Sequence, residues 1–212
     1  MKFLYQPIKP WVVSQPFGED RVCFFSYPNG NKLYKGKKTK EICSDVHGVG
    51  WESVYKRMNG HNGLDARCPK WTPCYAAQKG SVLKVSTDVD EGLGVVLKHH
   101  VKEQNKPSTW WKTRYWHLIM VSSAIKEGKE VKTGEFLGYC DSTGRSTGHH
   151  LHFDLKQLNS NGDVLNRDNG YFGAVDPTKY MYDDFALDVD KLYKIIEKLK
   201  LIIESLIRKL RW

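Results

Sequence analysis

One short segment, STGHHLHFDL at residues 146–155, most constrains the fold of this 212-residue chain. Its polar and apolar residues alternate, which is typical of a β-strand because successive side chains of a strand point to opposite faces of the sheet. His150 and His152 therefore share one face of the predicted strand. Two histidines on one face indicate a surface that faces a metal ion, since imidazole is a common metal ligand.

Two further segments supply candidate partners for these histidines. In GHNGLDA, His61 and Asp65 are four residues apart, and Gly60 and Gly63 permit a tight backbone path. In RYWHL, His117 lies in the middle or at the end of an apolar strand. Three nitrogen or oxygen ligands plus an open fourth position form a catalytic zinc site. His61, Asp65 and one histidine of the HLH segment would supply those ligands, so we expect bound Zn²⁺.

The middle of the chain predicts several antiparallel strands joined by turns. Residues 76–155 contain short β-branched or aromatic runs divided by glycine, lysine and aspartate, namely SVLKV, GVVLKHHV, TRYWHLIMV and EFLGYC. The segment KEGKEVKTGEFLG predicts a hairpin-like structure, and residues 156–182 predict a loop-rich tail to the sheet. We therefore expect a mainly β domain over residues 1–182, with an irregular segment at 24–60.

Beyond residue 183 the periodicity changes to that of a helix. Apolar residues recur at alternating steps of three and four, which is typical of a heptad seam. The seam consists of Val189, Leu192, Ile196, Leu199, Ile203, Leu206 and Leu210. We expect an amphipathic C-terminal helix over residues 183–212 whose apolar face is buried somewhere. It can pair with other copies as a coiled coil, fold back on the β domain, or lie on an anionic membrane; the seam favours a homo-oligomer.

The charge of the chain indicates anionic partners. The formal net charge is +9, which favours a nucleic acid, a membrane surface or an acidic polymer such as a bacterial wall. No nucleic-acid motif or basic stripe interleaved with aromatics is present, so we expect no nucleic-acid partner. The N-terminal segment is interrupted by Pro7, Pro10 and Pro16 and lacks the apolar stretch of a signal peptide. We therefore expect the chain to be made in the cytoplasm without a signal peptide.

The cysteines leave one question open. Their number, five, is odd, so they cannot all pair within one chain. Cys68 and Cys74 are close enough in sequence to form a disulfide, but their spacing is not that of a zinc ribbon. Free thiols in a reducing compartment are the simpler interpretation.

The motifs in this order resemble those of the lysostaphin-type zinc endopeptidases, which cut peptide cross-links in bacterial peptidoglycan. HNGLD, YWHL and STGHHLHFDL match the family's His-x-x-x-Asp motif, its lone histidine and its His-x-His motif. SQPFG, GSVLKV, GLGVVLKHH, VKTGEFLGYCDSTGRSTG and VDPTKYM are similar to further family segments, so the resemblance covers roughly residues 11–182. It implies an antiparallel β-sheet or sandwich of lysostaphin type with a long groove.

The resemblance also implies a role for each candidate residue. His61, Asp65 and His152 correspond to the zinc ligands, and His117 and His150 to catalytic histidines that do not bind the metal. Such a site would hydrolyse peptide cross-links or stem peptides of peptidoglycan. The bond that is cut stays open between Gly-Gly, D-Ala to diaminopimelate, and a stem bond.

The chain departs from the family at several points. Residues 24–60 form a long connection that we interpret as an inserted loop, and Cys68 and Cys74 do not belong to the family pattern. The lack of a signal peptide is compatible with phage-encoded relatives, which reach the wall through a holin or as part of the virion. The alternative function is a wall-binding module with minor catalysis, or an oligomeric structural component of a virion.

Overall fold

The computed structural model is mainly β. It describes residues 1–18, 25–26, 32–33, 60–102, 105–185, 196 and 198–203. In chain order, the strands among these residues are β1 (Leu4–Gln6), β2 (Val12–Gln15), β3 (Phe25–Ser26), β4 (Lys32–Leu33), β5 (Leu64–Arg67), β6 (Pro73–Tyr75), β7 (Gly80–Asp88), β8 (Gly92–Val101), β9 (Thr109–Val121), β10 (Glu130–Val131), β11 (Phe136–Cys140), β12 (His150–Leu158), β13 (Ala174–Val175) and β14 (Met181–Phe185). A 3₁₀-helix at Pro177–Tyr180 precedes the last strand.

One large antiparallel sheet positions the candidate residues. Its strands follow the order β10-β7-β8-β9-β12-β5-β2, and β11 pairs with both β6 and β9. The four apolar runs predicted as strands form β7, β8, β9 and β11, which confirms the prediction of antiparallel strands. Residues far apart in the sequence thereby become neighbours on three adjacent strands, β9, β12 and β5.

Strand β12 shows why the sheet has one core face and one polar face. Its odd-numbered residues Leu151, Phe153 and Leu155 are fully buried in the hydrophobic core. The alternating residues, among them His150 and His152, project to the opposite face, as the period of two predicts. We call this opposite side the groove face. Burial of the apolar face fixes the register, because a slip of one residue would exchange the two faces.

The segment KEGKEVKTGEFLG departs from the predicted hairpin-like structure. Glu130 of β10 lies opposite Ser81 of β7, whereas β11 pairs with β6 and β9. The backbone explains the difference, because the N–H of Gly134 donates to the carbonyl of Ala76 and turns the chain between the two strands. The two halves of the segment therefore join different neighbours in the sheet.

The two ends of the β domain meet in a small parallel pair, β1 with β14. Phe3, Trp111 and Tyr180 pack their rings against one another beside this pair. The expected domain boundary at residue 182 thus falls inside β14. Within the expected C-terminal helix, residues 196 and 198–203 are helical, and the rest of it lies outside the described residues, as does most of segment 24–60. No helix among the described residues has the length and apolar character that crossing a membrane requires.

Three cysteines are buried free thiols: Cys68, Cys74 and Cys140. Cys68 and Cys74 therefore do not form the disulfide that the sequence left open. The hydrogen bond to Cys140 and burial raise the pKa of Cys68. For Cys140, the hydrogen bond to Cys68 lowers the pKa, but the hydrogen bond to Cys74 and burial outweigh it, so this pKa is raised as well. These groups are accordingly uncharged thiols rather than reactive thiolates.

Candidate metal centre

The sheet brings His61, Asp65 and His152 together on the groove face. Asp65 on β5 and His152 on β12 are direct partners in the register, so their side chains lie side by side. His61 lies on the loop just before β5. The backbone at Gly63 passes close to the His152 ring, since a Cβ there would lie 2.8 Å from that ring and 2.8 Å from the carbonyl of Phe153. Glycine is therefore required for this path, as the sequence indicated.

The three side chains present one donor atom each to a common point. Asp65 Oδ1 lies 3.1 Å from His61 Nε2 and 2.9 Å from His152 Nδ1, and the two nitrogens are 3.1 Å apart. In a tetrahedral zinc site with bonds near 2.0–2.1 Å, the ligand atoms are about 3.3 Å apart. The donor types and the nearly equal spacing thus fit a small divalent metal ion such as zinc.

The charge state of Asp65 suits a metal ligand. Burial alone would raise its pKa, but hydrogen bonds with His152 and His61 outweigh burial and hold the pKa well below the usual value. Asp65 is therefore a carboxylate at neutral pH. Metal ligands must be deprotonated in this way before they can bind.

Contacts outside the cluster orient the two ligand histidines. His61 Nδ1 lies 3.2 Å from the carbonyl oxygen of Pro16. A carbonyl only accepts, so Nδ1 carries the proton and the Nε2 lone pair faces the cluster. His152 is turned the other way: its Nδ1 faces the cluster, and its Nε2 lies 3.5 Å from Asp154 Oδ2.

Asp154 is a buried carboxylate directly behind His152, and the candidate residues from sequence did not include it. Its side chain is fully buried, and Arg114, its register partner on β9, donates from Nε to Oδ2 at 2.6 Å. Burial would raise the pKa of Asp154, but the charge of Arg114 lowers it. His152 Nε2 and Asp154 Oδ1 both lack a hydrogen-bond partner among the described residues. The carboxylate of Asp154 thus lies beside His152 Nε2, where a supporting carboxylate of a metal-bound histidine typically lies.

His117 reaches the same face through an irregularity in β9. Between the register pairs Leu93–Leu118 and Val95–Tyr115, one β8 residue, Gly94, lies opposite two β9 residues, Trp116 and His117, which is a β-bulge. The backbone at His117 has φ +63°, an uncommon conformation for a residue other than glycine. By simple alternation His117 would point into the core, but its ring centroid lies 4.6 Å from that of His150 and 6.1 Å from that of His152.

The two remaining histidines of the cluster both leave Nε2 without a proton. His117 donates from Nδ1 to the carbonyl of Thr143 at 2.7 Å, and His150 donates from Nδ1 to the carbonyl of Gly148 at 2.7 Å. His150 Nε2 lies 3.6 Å from Asp65 Oδ2, beyond hydrogen-bond distance. Burial and the neighbouring His150 and His152 lower the pKa of His117 to about 4, so its imidazole is neutral at pH 7. Two proton acceptors thus lie beside the donor triangle.

Three other histidines, His149, His100 and His99, lie outside this cluster. His149 Nδ1 pairs with Asp141 at 2.6 Å, and the His100 ring stacks on Trp110 with centroids 4.2 Å apart. His99 is fully buried in the core. The structure therefore groups the five residues selected from the motifs and leaves these three apart.

Comparison with known proteins places this cluster within a described family. The model of peptidase family M23 matches residues 59–167, about half of the chain. Peptidoglycan DD-endopeptidase ShyB of Vibrio cholerae is 30% identical over 138 residues, which is 65% of this chain and 30% of the relative. Peptidoglycan DD-endopeptidase ShyA of the same organism is 35% identical over 102 residues, which is 48% of this chain and 21% of the relative. The chain thus spans less than a third of the length of these relatives.

A solved structure supports the fold. The crystal structure of a zinc-containing peptidase from Vibrio cholerae superposes with a TM-score of 0.52 at 24% identity, covering 87% of this chain and 41% of that chain. At this identity the likeness concerns the fold alone. The residues of the donor triangle and the two neighbouring histidines all lie inside the segment that matches the family.

Proposed function

Since the chain belongs to peptidase family M23, we propose that it is a zinc-dependent endopeptidase that hydrolyses peptide cross-links or stem peptides of bacterial peptidoglycan. One observation carries the proposal. A triangle of metal donors lies beside two imidazoles whose Nε2 atoms are free to accept a proton. These are the parts that metal-assisted hydrolysis of an amide requires.

In this proposal His61, Asp65 and His152 hold the zinc ion. Zinc, when bound, supplies Lewis-acid polarisation of a peptide carbonyl and lowers the pKa of water toward ~7. The carboxylate of Asp154, which is paired with Arg114, lies beside Nε2 of His152, and the carbonyl of Pro16 accepts a hydrogen bond from Nδ1 of His61. The protein thereby fixes which nitrogen of each ring is available to the metal.

His117 and His150 would carry out the proton transfers. Nε2 of a neutral imidazole can take a proton from the attacking water and can then return one to the amine that leaves. The Nδ1–H of each ring stays with its backbone carbonyl throughout, which keeps Nε2 directed at the cluster. Once it has taken up a proton, His117 is suited to donate a hydrogen bond to developing negative charge.

The choice of peptidoglycan as substrate rests on two supports. The relatives ShyA and ShyB are peptidoglycan DD-endopeptidases by name. The formal net charge of +9 also favours association with an acidic wall polymer. A cut between D-Ala and diaminopimelate would agree with the names of the relatives.

Mass spectrometry of released muropeptides tests the proposal. The purified protein, loaded with zinc, is incubated with purified cell walls of several cross-link types, and the His150→Ala variant is the matched control. We expect cross-linked dimers to decline and their monomers to appear with the wild-type protein alone. Release of disaccharides instead of peptides, or no release from any wall, would overturn the assignment.

The alternative, a wall-binding or structural role with an oligomeric helix, has one supporting observation. Leu199 and Ile203, two residues of the heptad seam, are more than half exposed. We propose that this seam joins copies of the chain, which would raise avidity for a polymeric wall. Light scattering of the full chain and of a chain ending after Phe185 tests this. A monomeric full chain removes the idea, and wall binding without hydrolysis by an oligomer would favour the alternative.

A further inference from the structure

A row of three lysines crosses the groove face of the main sheet. Lys98 on β8 lies opposite Lys112 on β9, and Lys112 lies opposite Lys156 on β12. Directly opposed residues on antiparallel strands share a face, with Cβ atoms roughly 4.5–5.5 Å apart. We call Lys98, Lys112 and Lys156 the lysine row. Like charges in such positions are unfavourable, so the arrangement calls for a negatively charged partner.

The lysine row lies on the same face as the candidate metal centre and at a defined distance from it. Along β12, His152 and Lys156 are four residues apart and both belong to the groove-face alternation. With a rise of about 3.4 Å per residue, the row lies roughly 13 Å from the metal donors. An extended peptide that runs along the groove covers this distance with about four residues.

The described protein does not neutralise this row. Asp154, the acidic residue nearest along β12, is already paired with Arg114 at 2.6 Å, and Glu91 lies 3.9 Å from Arg114. Within the part of the chain that the structure describes, no carboxylate forms an ion pair with a lysine of the row. Positive charge therefore remains in excess beside the metal centre.

The three lysines differ in what they contact. Lys156 is buried, and its Nζ donates to the carbonyl of Phe172 at 3.0 Å. Lys98 Nζ lies 4.4 Å above the ring of Trp110. Lys112, in the centre, is partly exposed and has no such contact among the described residues. It is the residue best placed to meet a ligand from the groove.

The electrostatics agree with an anion at this position. Burial is the largest cause that lowers the pKa of Lys156, to about 8; the charge of Asp154 opposes this, and Arg114 and Lys112 lower the pKa further. Burial and the charges of Arg114 and Arg167 also lower the pKa of Lys112. An anion bound here would reverse this mutual repulsion, so the site gains more from a negative group than an ordinary surface lysine would.

We propose that the lysine row is a subsite for a free carboxylate of the peptide substrate, about four extended residues from the bond that is cut. The proposal rests on the proposed function and deepens it. It assigns the recognition of the substrate's charge to Lys112, supported by Lys156 and Lys98. A peptide is favoured over a phosphate polymer because the row is separated from the metal centre along the strand direction, on the same face of the sheet.

Two synthetic cross-linked peptides test the subsite. They differ only in whether the carboxyl groups remote from the scissile bond are free or amidated. Lys112→Gln should lower kcat/KM for the free-acid peptide by roughly 10-fold or more, mainly through KM, because it removes a charged hydrogen-bond donor to the carboxylate. The amidated peptide should be cut equally by both proteins. Lys112→Arg should restore most of the loss.

The controls separate this proposal from the proposed function. Lys126→Gln removes an exposed lysine outside the row and should leave both peptides unaffected. An equal loss on both peptides, or none, would overturn the subsite. If wild-type protein cuts neither peptide, the proposed function fails, and calorimetry on the His150→Ala variant then decides the subsite by itself: tighter binding of the free acid than of the amide supports it, and equal binding, or tighter binding of inorganic phosphate than of either peptide, overturns it.

Discussion

His99 and the histidines of the candidate metal centre lie on opposite faces of the same sheet, and they differ in the contacts that their ring nitrogens make. On the core side, His99 Nδ1 donates to the carbonyl of Lys79, and His99 Nε2 is 2.8 Å from the hydroxyl of Thr113. The hydroxyls of Thr113 and Tyr115 hydrogen-bond to each other, and the N–H of Ala77 donates to the Tyr115 oxygen. Both nitrogens of His99 are thus satisfied inside the protein.

On the groove face, each histidine of the cluster has one ring nitrogen that contacts a group outside the cluster. His61, His117 and His150 each donate from Nδ1 to a backbone carbonyl, and Nε2 of His152 faces the carboxylate of Asp154. The other nitrogen faces the donor triangle or the space beside it. Burial is therefore a poor guide to function here, because His99 and His152 are both buried. The use of the second nitrogen separates a structural histidine from one available for chemistry.

The largest effect should come from the donor triangle. His61→Ala or Asp65→Ala each removes one of three metal ligands, so bound zinc should fall from about one per chain to near zero and hydrolysis should disappear. Metal analysis after dialysis and the muropeptide assay measure the two results. Both variants retaining zinc and activity would show that the triangle is not the metal site.

Next come the two histidines beside the triangle. His117→Ala and His150→Ala should keep zinc yet lose activity by ~10²–10⁴-fold, because general acid–base help is removed while the ligands stay. Zinc content and kcat are measured on the same preparations. Loss of metal in either variant, with retention in His152→Ala, would exchange the roles of ligand and catalyst.

A smaller effect on zinc binding is expected from Asp154, the carboxylate beside His152. Asp154→Asn keeps the shape of the side chain but removes the charge that faces His152 Nε2, so zinc affinity should fall by ~10–100-fold. Competition with a chromophoric chelator gives the affinity, and circular dichroism reports folding, since Arg114 loses its partner. Unchanged affinity in a folded variant would mean that Asp154 serves only the ion pair.

The smallest effect on the site should come from the core side. His99→Gln should leave zinc content and activity per folded molecule unchanged at pH 7. Stability behaves differently: burial lowers the pKa of His99 from 6.5 to about 4, so the unfolded chain takes up this proton first as the pH falls.

The sign of this pH effect follows from that order. Between pH 6.5 and pH 4 the unfolded state binds more protons at this position, so His99 lowers the free energy of unfolding by ~3 kcal/mol across the window. Urea unfolding of wild type and His99→Gln at both ends of the window measures the difference. If the free energy of unfolding depended equally on pH in the two proteins, His99 would not be a buried, neutral histidine.

Much of the fold was predictable from sequence because alternation on a strand directly reports two faces. The run from His150 to Leu155 identified both the groove face and the core face of β12. The same alternation places Asp154 on the face of His152, so the position of this carboxylate was also predictable. Its role depends on Arg114 of another strand, and that pairing follows from the register, which a single sequence does not display.

Other features lay beyond a local pattern. Strand β10 joins β7 through contacts distant in sequence, which no turn signal in its own segment indicates. The position of His117 depends on a bulge, and simple alternation predicts the wrong face for it. The lysine row is likewise invisible along the chain, because its members are brought together only by the pairing of three strands.

The bulge in β9 makes the length of one short stretch as important as its composition. Tyr115 and Leu118 both lie in the core although an odd number of positions separates them, and His117 lies between them on the other side of the sheet. Point substitutions leave that count intact. If the strand alternated regularly from Tyr115 onward, His117 would point into the core and Leu118 to the groove face, so the extra residue of the bulge keeps both side chains on their observed faces. In any redesign of this protein, the number of residues in that stretch is a variable to hold constant, separate from every choice of side chain.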